Sequence, residues 1–243
     1  MTPSHHPLFP NLRSVSAPDG IDIRLCDVGT LCKEVRGARL VCADPPWRYA
    51  REAGGANPEE NGIYDALSEP EIAAHLDAAF DVAGPSARLA CWYTWPKAAE
   101  WIAAGMAGPR WGPMVTGGAW TKQMVTSSGA RRMQVGVGYH WRGQSEPVAV
   151  FTKGATGRPT AMLLNAHVSP PGPHSEKPVA WLREWVRAWT DPGDLVVDLY
   201  SGLAPLARAC LREGRRYIGA ELSESRRDES LAALARYRAE EGL

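Results

Sequence analysis

The sequence has no apolar run close to the roughly 20 residues that a membrane-spanning helix needs, so no membrane partner is expected. Its opening stretch, MTPSHHPLFPNLRSVSAPDG, lacks the apolar h-region of a secretory signal, and residues 1–19 are expected to form a flexible lead-in. The five cysteines, at 26, 32, 42, 91 and 210, are odd in number and lack Cys-x-x-Cys spacing. That pattern argues against a disulfide framework or a zinc site and suits reduced thiols in a cytoplasmic protein. The six histidines do not pair at ligand spacing, so no metal is expected. G-x-G-x-x-G and a Walker lysine are both missing, and no loop is set up to cradle phosphates. Charge excess is missing too: 27 basic and 27 acidic residues give a formal net charge of +0. A strong non-specific nucleic-acid binder is thereby disfavoured, although a local basic groove is compatible with a neutral total.

What is present is a substantial core, with 44% hydrophobic residues in a chain of 243, and ten tryptophans. Most of these tryptophans are expected in the core, while Trp47, Trp92, Trp95, Trp120 and Trp141 fall at strand ends, where binding surfaces form. Strand patterns such as ARLVCADPP, ARLACWYTW, PMVTGGAWTK, EPVAVFTKG, LVVDLYSG and RRYIGAEL alternate with helical ones. Ser68 with Glu71 three residues on is a capping-box start, and Ser223 is a cap candidate for the last helix. Strand–helix alternation without a repeat predicts one open α/β sheet, mostly parallel, with helices on both faces, forming a single domain over 20–243. Loop inserts are expected at 51–62, 123–143 and 154–173. In such sheets ligands lie beyond the carboxyl ends of the strands, where Asp27, Asp44, Asp198 and Glu221 are expected.

The stretch RLVCADPPWRYA, 39–50, ends an apolar run with Asp44-Pro45-Pro46-Trp47. Neither proline has an N–H to donate, so pairing stops and the chain leaves the sheet. A carboxylate, a Pro45 carbonyl without a neighbouring N–H and a flat aromatic face are then held together. They suit a planar ligand carrying an amino group. Asp-Pro-Pro is also ordinary turn chemistry, and a following tryptophan can cap a core, so the tetrapeptide alone leaves both readings open. The segment VVDLYSGLAPLARACLREGRRYIGAEL predicts strand, helix and strand, with Asp198 closing the first strand, Gly202 in the turn and Glu221 closing the second. An acid at the second strand end suits the two hydroxyls of a ribose, and one at the first suits a cationic amino-acid head. With no phosphate cradle, S-adenosyl-L-methionine fits this set. A plain structural turn is the alternative.

Together the two constellations resemble the permuted beta-type amino-methyltransferases, in which the Asp-Pro-Pro-aromatic motif precedes the cofactor motif. Within that group Asp-Pro-Pro-Trp resembles the MT-A-seventy family of adenine-N6 methyltransferases. The resemblance covers roughly residues 20 to 225. It implies a Rossmann-like S-adenosylmethionine-dependent methyltransferase fold. It also implies catalytic roles for Asp44, Pro45, Pro46 and Trp47, with Asp44 beside the cofactor as well. LCDV matches the family's acid and apolar pair at the cofactor adenine, which carries that role to Asp27 and Val28. IYDALSEPEI makes Tyr64 a target-side residue, and WTK places Lys122 near the target or its backbone. EPVAVFTKG matches a Glu-led strand ending in Lys-Gly. HSEKP resembles the holder of the methionine carboxylate, through Lys177 and Ser175. The tail is closer to bacterial and phage DNA methyltransferases, whose pattern is Asp-Pro-Phe-x-Gly-x-Gly-Thr. Asp198, Leu199, Tyr200, Gly202 and Glu221 are its cofactor positions, although Leu199, Tyr200, Ala204 and Pro205 stand where that pattern has Pro, Phe, Gly and Thr.

The function these resemblances imply is methylation of the exocyclic amino group of adenine in DNA. RNA adenosine-N6, cytosine-N4 or small-amine methylation stands as an alternative, as does a catalytically degenerate nucleic-acid-binding partner suggested by the altered SGLAP turn. The amino hydrogens would bond the Asp44 carboxylate and Pro45 carbonyl, with Trp47 stacked on a base that is flipped out or single-stranded. The stretch SSGARRMQVGVGYHWRG is expected to read the substrate, with Arg131, Arg132 and Arg142 on phosphates and Gln134 or Gln144 on adenine edges. A mobile solvated loop is the other reading of that stretch.

Overall fold

A computed structural model describes residues 20–48, 66–134, 143–157, 159, 163–170 and 176–243. The expected lead-in, the loop at 51–62, Trp141 and the site candidates Tyr64, Arg142 and Ser175 lie outside the described residues. The chain runs β1 (Ile21–Leu25), α1 (Val28–Glu34), β2 (Ala38–Ala43), α2 (Glu69–Val82), β3 (Ala83–Trp92), α3 (Ala98–Ala103), β4 (Thr116–Val125) and β5 (Arg131–Met133). It continues with β6 (Ser145–Lys153), β7 (Ala166–Ser169), α4 (Val179–Trp189), β8 (Leu195–Asp198), α5 (Pro205–Glu213), β9 (Arg216–Glu221) and α6 (Glu224–Glu241).

The nine described strands form one sheet in the order β1-β9-β8-β2-β3-β6-β4-β5, with β7 also on β4. The pairs from β1 to β3 are parallel, and β6 is antiparallel to both β3 and β4. β4 therefore runs in the same direction as β3. Central strands covered on both faces have to be apolar in continuous runs, and LVCA of β2 and LVV of β8 are such runs. One face packs on α1, α2 and α3 through Leu31, Leu76 and Trp101, and the other on α4, α5 and α6 through Trp185, Leu206 and Leu234.

The tryptophans explain much of the second layer. Trp181, Trp185 and Trp189 recur every fourth residue on α4 and are buried as one stripe. Trp92 of β3 stacks on Trp185 at 5.4 Å and meets Trp181 edge-on at 5.6 Å. This anchors α4 so that its N-terminus, with Glu176 and Lys177 just before it, lies at the carboxyl end of the strands. The capping signals hold: the Glu71 carboxylate accepts from the Ser68 N–H and hydroxyl, and Ser223 accepts from the Arg226 N–H.

Two expectations for loops need correction. Residues 123–125 and 131–133 are not loop but the tip of β4 and its hairpin partner β5, closed by a turn in which the Thr126 N–H donates to the Ala130 carbonyl. The proline-rich segment 154–173 contains β7, which pairs in parallel with Ala119–Lys122 of β4. No helix of the described residues is long and apolar enough to cross a membrane.

Candidate active site

The carboxyl ends of the parallel strands carry four acids in spatial order: Asp27 after β1, Glu221 ending β9, Asp198 ending β8 and Asp44 after β2. Asp27 is exposed and caps α1, accepting from the Thr30 N–H at 2.9 Å and the Thr30 hydroxyl at 2.7 Å. Burial alone would raise its carboxyl, but these hydrogen bonds outweigh it and hold the group below the ordinary range. Val28, the other residue expected at the cofactor adenine, is buried in the core. The Glu221 carboxylate accepts from the Ser223 N–H at 2.9 Å.

Asp198 is the acid most cut off from water. It accepts from the Tyr217 hydroxyl at 3.2 Å and the Tyr200 N–H at 3.4 Å. Burial, with the neighbouring Asp44 and Glu221 charges adding to it, pushes the Asp198 carboxyl up to about 7 despite those bonds. An acid in that state gains from a cation placed beside it. Gly202 and Ala204 in the following turn are both left-handed, at φ 51° and 50°. A glycine tolerates this; for an alanine it costs about 1–2 kcal/mol. Leu199 is buried, and the Tyr200 hydroxyl lies 2.8 Å from His75 Nδ1 on α2.

Asp44 stands at the end of a chain of alternating charges. Lys177 Nζ lies 2.5 Å from Asp44 Oδ2 and 3.2 Å from Glu146 Oε2, and Lys122 Nζ lies 2.5 Å from Glu146 Oε1. Lys177 also rests 5.0 Å above the Trp92 ring. Burial opposes its charge, but the Asp44 and Glu146 carboxylates outweigh that and hold Lys177 well above the ordinary lysine value. Burial would raise Glu146 as well, yet Lys177 and Lys122 keep it below the usual carboxylate range. An ion pair between Glu176 and Arg208 of α5 fixes the residue next to Lys177. The Asp44 side chain keeps 44% of its surface exposed, so it is neutralised on one side and open on the other.

Several expected roles change here. Trp47 is not an open stacking face: it is 4% exposed, packs edge-on against Trp101 at 5.6 Å and donates its indole N–H to the Trp92 carbonyl. It anchors the Asp-Pro-Pro turn instead. The Pro45 carbonyl is not without a neighbouring donor, because it accepts from the Trp47 N–H at 2.9 Å, and the Pro46 carbonyl accepts from the Leu67 N–H. One lone pair of the Pro45 carbonyl remains. Lys177 meets Asp44 and Glu146, and Lys122 meets Glu146. Arg131 and Arg132 are exposed on the β4–β5 tip, with Arg131 3.4 Å from the Gln123 amide oxygen. Gln134 is half-buried and Gln144 exposed.

Glu146 and Tyr217 carried no site role in the sequence reading. For Glu146 the signal was the EPVAVFTKG match to a Glu-led strand, and the antiparallel course of β6 puts that first glutamate where the parallel strands end. Tyr217 sits in a run of apolar strand residues and only the β8–β9 register, pairing Val196 with Tyr217 and Asp198 with Gly219, brings it to Asp198. Among the described residues no group of three or more His, Cys, Asp or Glu side chains is placed to hold a metal ion.

Residues 118–232 match the DNA methylase family model. The segment begins within β4 and runs into α6, taking in Glu146, Lys177, Asp198 and Glu221. A stretch of 50 residues is 42% identical to YubD of Escherichia coli (strain K12), a protein assigned as a methylase, and spans 21% of this chain and 22% of that protein. Solved structures superpose on most of the chain. M1.HpyAVI in complex with SAM superposes with a TM-score of 0.62 over 88% of this chain and 99% of that one, at 14% identity. TTHA0409 of Thermus thermophilus, described as a DNA modification methylase and complexed with S-adenosyl-L-methionine, gives 0.62 over 88% and 93%, at 16%. The cytosine-N4-specific PvuII DNA methyltransferase gives 0.65 over 90% and 92%, at 12%. The fold is therefore that of the S-adenosylmethionine-dependent methyltransferases.

Proposed function

We propose that this protein methylates the exocyclic amino group of adenine in DNA, using S-adenosyl-L-methionine. The observation that carries the reading is Asp44, held by the Asp-Pro-Pro-Trp turn at the carboxyl end of β2 with Lys177 on one oxygen and solvent on its other side. The DNA methylase match over 118–232 and the fold neighbours support it.

The donor set suits the cofactor. A row of carboxylates at one sheet edge, including a buried acid raised to about 7, favours a ligand that brings positive charge and a vicinal diol. Asp198 would hold the ammonium and Glu221 the ribose hydroxyls, with Gly202 leaving open space beside them. When bound, the cofactor supplies a methyl group on a sulfonium sulfur. Asp44 and the remaining lone pair of the Pro45 carbonyl would accept the two amino hydrogens of the base, turning the nitrogen lone pair away from the ring. Asp44 then stabilises the positive charge that grows on that nitrogen and can accept the proton it sheds. Lys177 fixes the carboxylate's orientation, and Trp47 fixes the turn.

Asp44→Ala is expected to reduce methyl transfer by roughly a thousandfold, about 4 kcal/mol of lost charge stabilisation, with cofactor affinity retained. Digestion and mass spectrometry of DNA and RNA oligonucleotides incubated with labelled cofactor would read it. Methylation of RNA adenosine with DNA left untouched, or full turnover by the variant, would sink the reading. A second reading, cytosine-N4, is favoured by the likeness to the PvuII enzyme, because the same carboxylate chemistry serves either amine. The modified nucleoside recovered in that digest decides between them.

A further inference from the structure

The burial of Trp47 leaves the base without the aromatic platform expected for it. Eight of the nine described tryptophans are buried, and Trp95 alone among them is exposed, at 58%. It stands just past the carboxyl end of β3, the strand beside β2. The antiparallel register pairs Trp92 with Val148, and the Tyr93 N–H donates to the Pro147 carbonyl. Continuing that register sets Trp95 level with Ser145, whose hydroxyl lies 3.5 Å from the indole nitrogen. Ser145 is the neighbour of Glu146, and Glu146 shares Lys177 with Asp44. The ring is held in place as well: Pro96 opens a single 3-10 turn over Trp95–Lys97, and Tyr93 supports the indole edge-on at 6.0 Å. Tyr93 leans on Trp101, which packs on Trp47. An aromatic chain thus runs from the Asp-Pro-Pro-Trp turn out to one open face.

We propose that Trp95 is the stacking platform for an unpaired base of the DNA strand at this site, an assignment that rests on the DNA-methylating reading above. A large flat face with little freedom gives stacking that any base can use, because every base has a π-face. Arg131 and Arg132 project from the same end of the sheet, where they can meet the phosphates of that strand.

The test measures anisotropy of a labelled, mixed-sequence single-stranded DNA against the full chain with S-adenosylhomocysteine present. Trp95→Ala is expected to weaken DNA binding about 5- to 150-fold, the range produced by losing one base–aromatic stack. Trp95→Phe keeps most of the affinity. Neither change alters the slope of log affinity against log salt, since no charge is removed. Cofactor affinity by calorimetry stays that of the wild type. Unchanged DNA affinity in Trp95→Ala would overturn the assignment, as would a loss of cofactor affinity of equal size. A change in sedimentation of the protein alone would also overturn it, by showing that Trp95 covers a protein contact. If the wild type methylates DNA and Trp95→Ala matches it in KM and affinity, only this assignment fails. If the wild type neither binds nor methylates DNA, the functional reading fails with it.

Discussion

Asp198 couples the carboxyl end of the parallel strands to pH through a single carboxyl group. Its ordinary value of 3.8 rises to about 7 in the fold, chiefly by burial. Between those values the folded protein holds a proton that the unfolded chain has released. This group's contribution to stability is therefore present at acid pH and declines as pH rises from about 4 to about 7. A cationic ligand reverses the preference by favouring the ionised form. Affinity for S-adenosylmethionine should rise about tenfold between about pH 6 and pH 8, following the ionised fraction of a group near 7. Asp198→Asn should bind weakly, lose that rise and show a smaller fall in melting temperature over the same interval without ligand. Calorimetry at the two pH values checks both, and a wild-type affinity independent of pH would remove Asp198 from the ammonium contact. Asp44 is paired with Lys177, 2.5 Å away. Its importance was legible in the sequence, since two prolines force the chain out of the sheet there. Its partner's geometry was not, because 133 residues separate Lys177 from Asp44 and only the docking of α4 on Trp92 brings them together.

The central elements were legible because burial on both faces writes continuous apolar runs into β2, β3 and β8, and caps mark the helix starts. β5 and β7 were not. Their residues are largely exposed, so no apolar alternation distinguishes them from loop, and they become strands only because β4 offers a free edge. The fate of Trp47 was equally hidden: a tryptophan after a strand end can face solvent or core, and Trp101 and the Trp92 carbonyl draw it inward. Among the elements, the β8–β9 pair carries a sharp steric test. A Cβ on Gly219 would stand 2.3 Å from the Tyr217 hydroxyl oxygen and 2.9 Å from Ser201 Cβ. Tyr217 is fully buried and has nowhere to swing. Gly219→Ala should therefore destabilise the protein by about 1–3 kcal/mol, as overpacking does, and weaken cofactor binding by displacing the Asp198 hydrogen bond. In a chain of this size the melting temperature should fall by roughly 2–12 °C. Tyr217→Phe removes the closest clashing atom, so the double variant should be less destabilised than the two single effects summed. Strict additivity in thermal melts would show that the two positions do not meet.

At the scale of the whole molecule, a protein with 27 basic and 27 acidic residues has no overall attraction for a polyanion. The proposed nucleic-acid binding would then have to come from where charge is placed. The carboxyl-end edge is acidic along Asp27, Glu221, Asp198 and Asp44, and Lys177 and Lys122 are taken up by Asp44 and Glu146. The β4–β5 hairpin is the contrasting feature. β4 runs in the same direction as β3, and its pairing with β6 ends at Thr121 and Ser145, so the tip beyond Lys122 hangs past the sheet on the side of the site. Arg131 and Arg132 lie on that tip, both exposed, beside exposed Met124, Val125 and Met133. An arm with arginines and apolar ends can follow a phosphate backbone while the sheet edge, being acidic, keeps it at a distance from the cofactor acids. Each phosphate contact contributes about 0.9 to the slope of log affinity against log salt for duplex DNA and about 0.7 for a single strand. Arg131→Ala with Arg132→Ala should lower DNA affinity and flatten the slope by about 1–2 units, with cofactor affinity unchanged. Titrations at several salt concentrations measure this directly. The contrast with Trp95→Ala is diagnostic: the arginine pair should move the slope, whereas the tryptophan should move affinity alone. An arginine double variant with the wild-type slope would show that the hairpin does not meet the backbone.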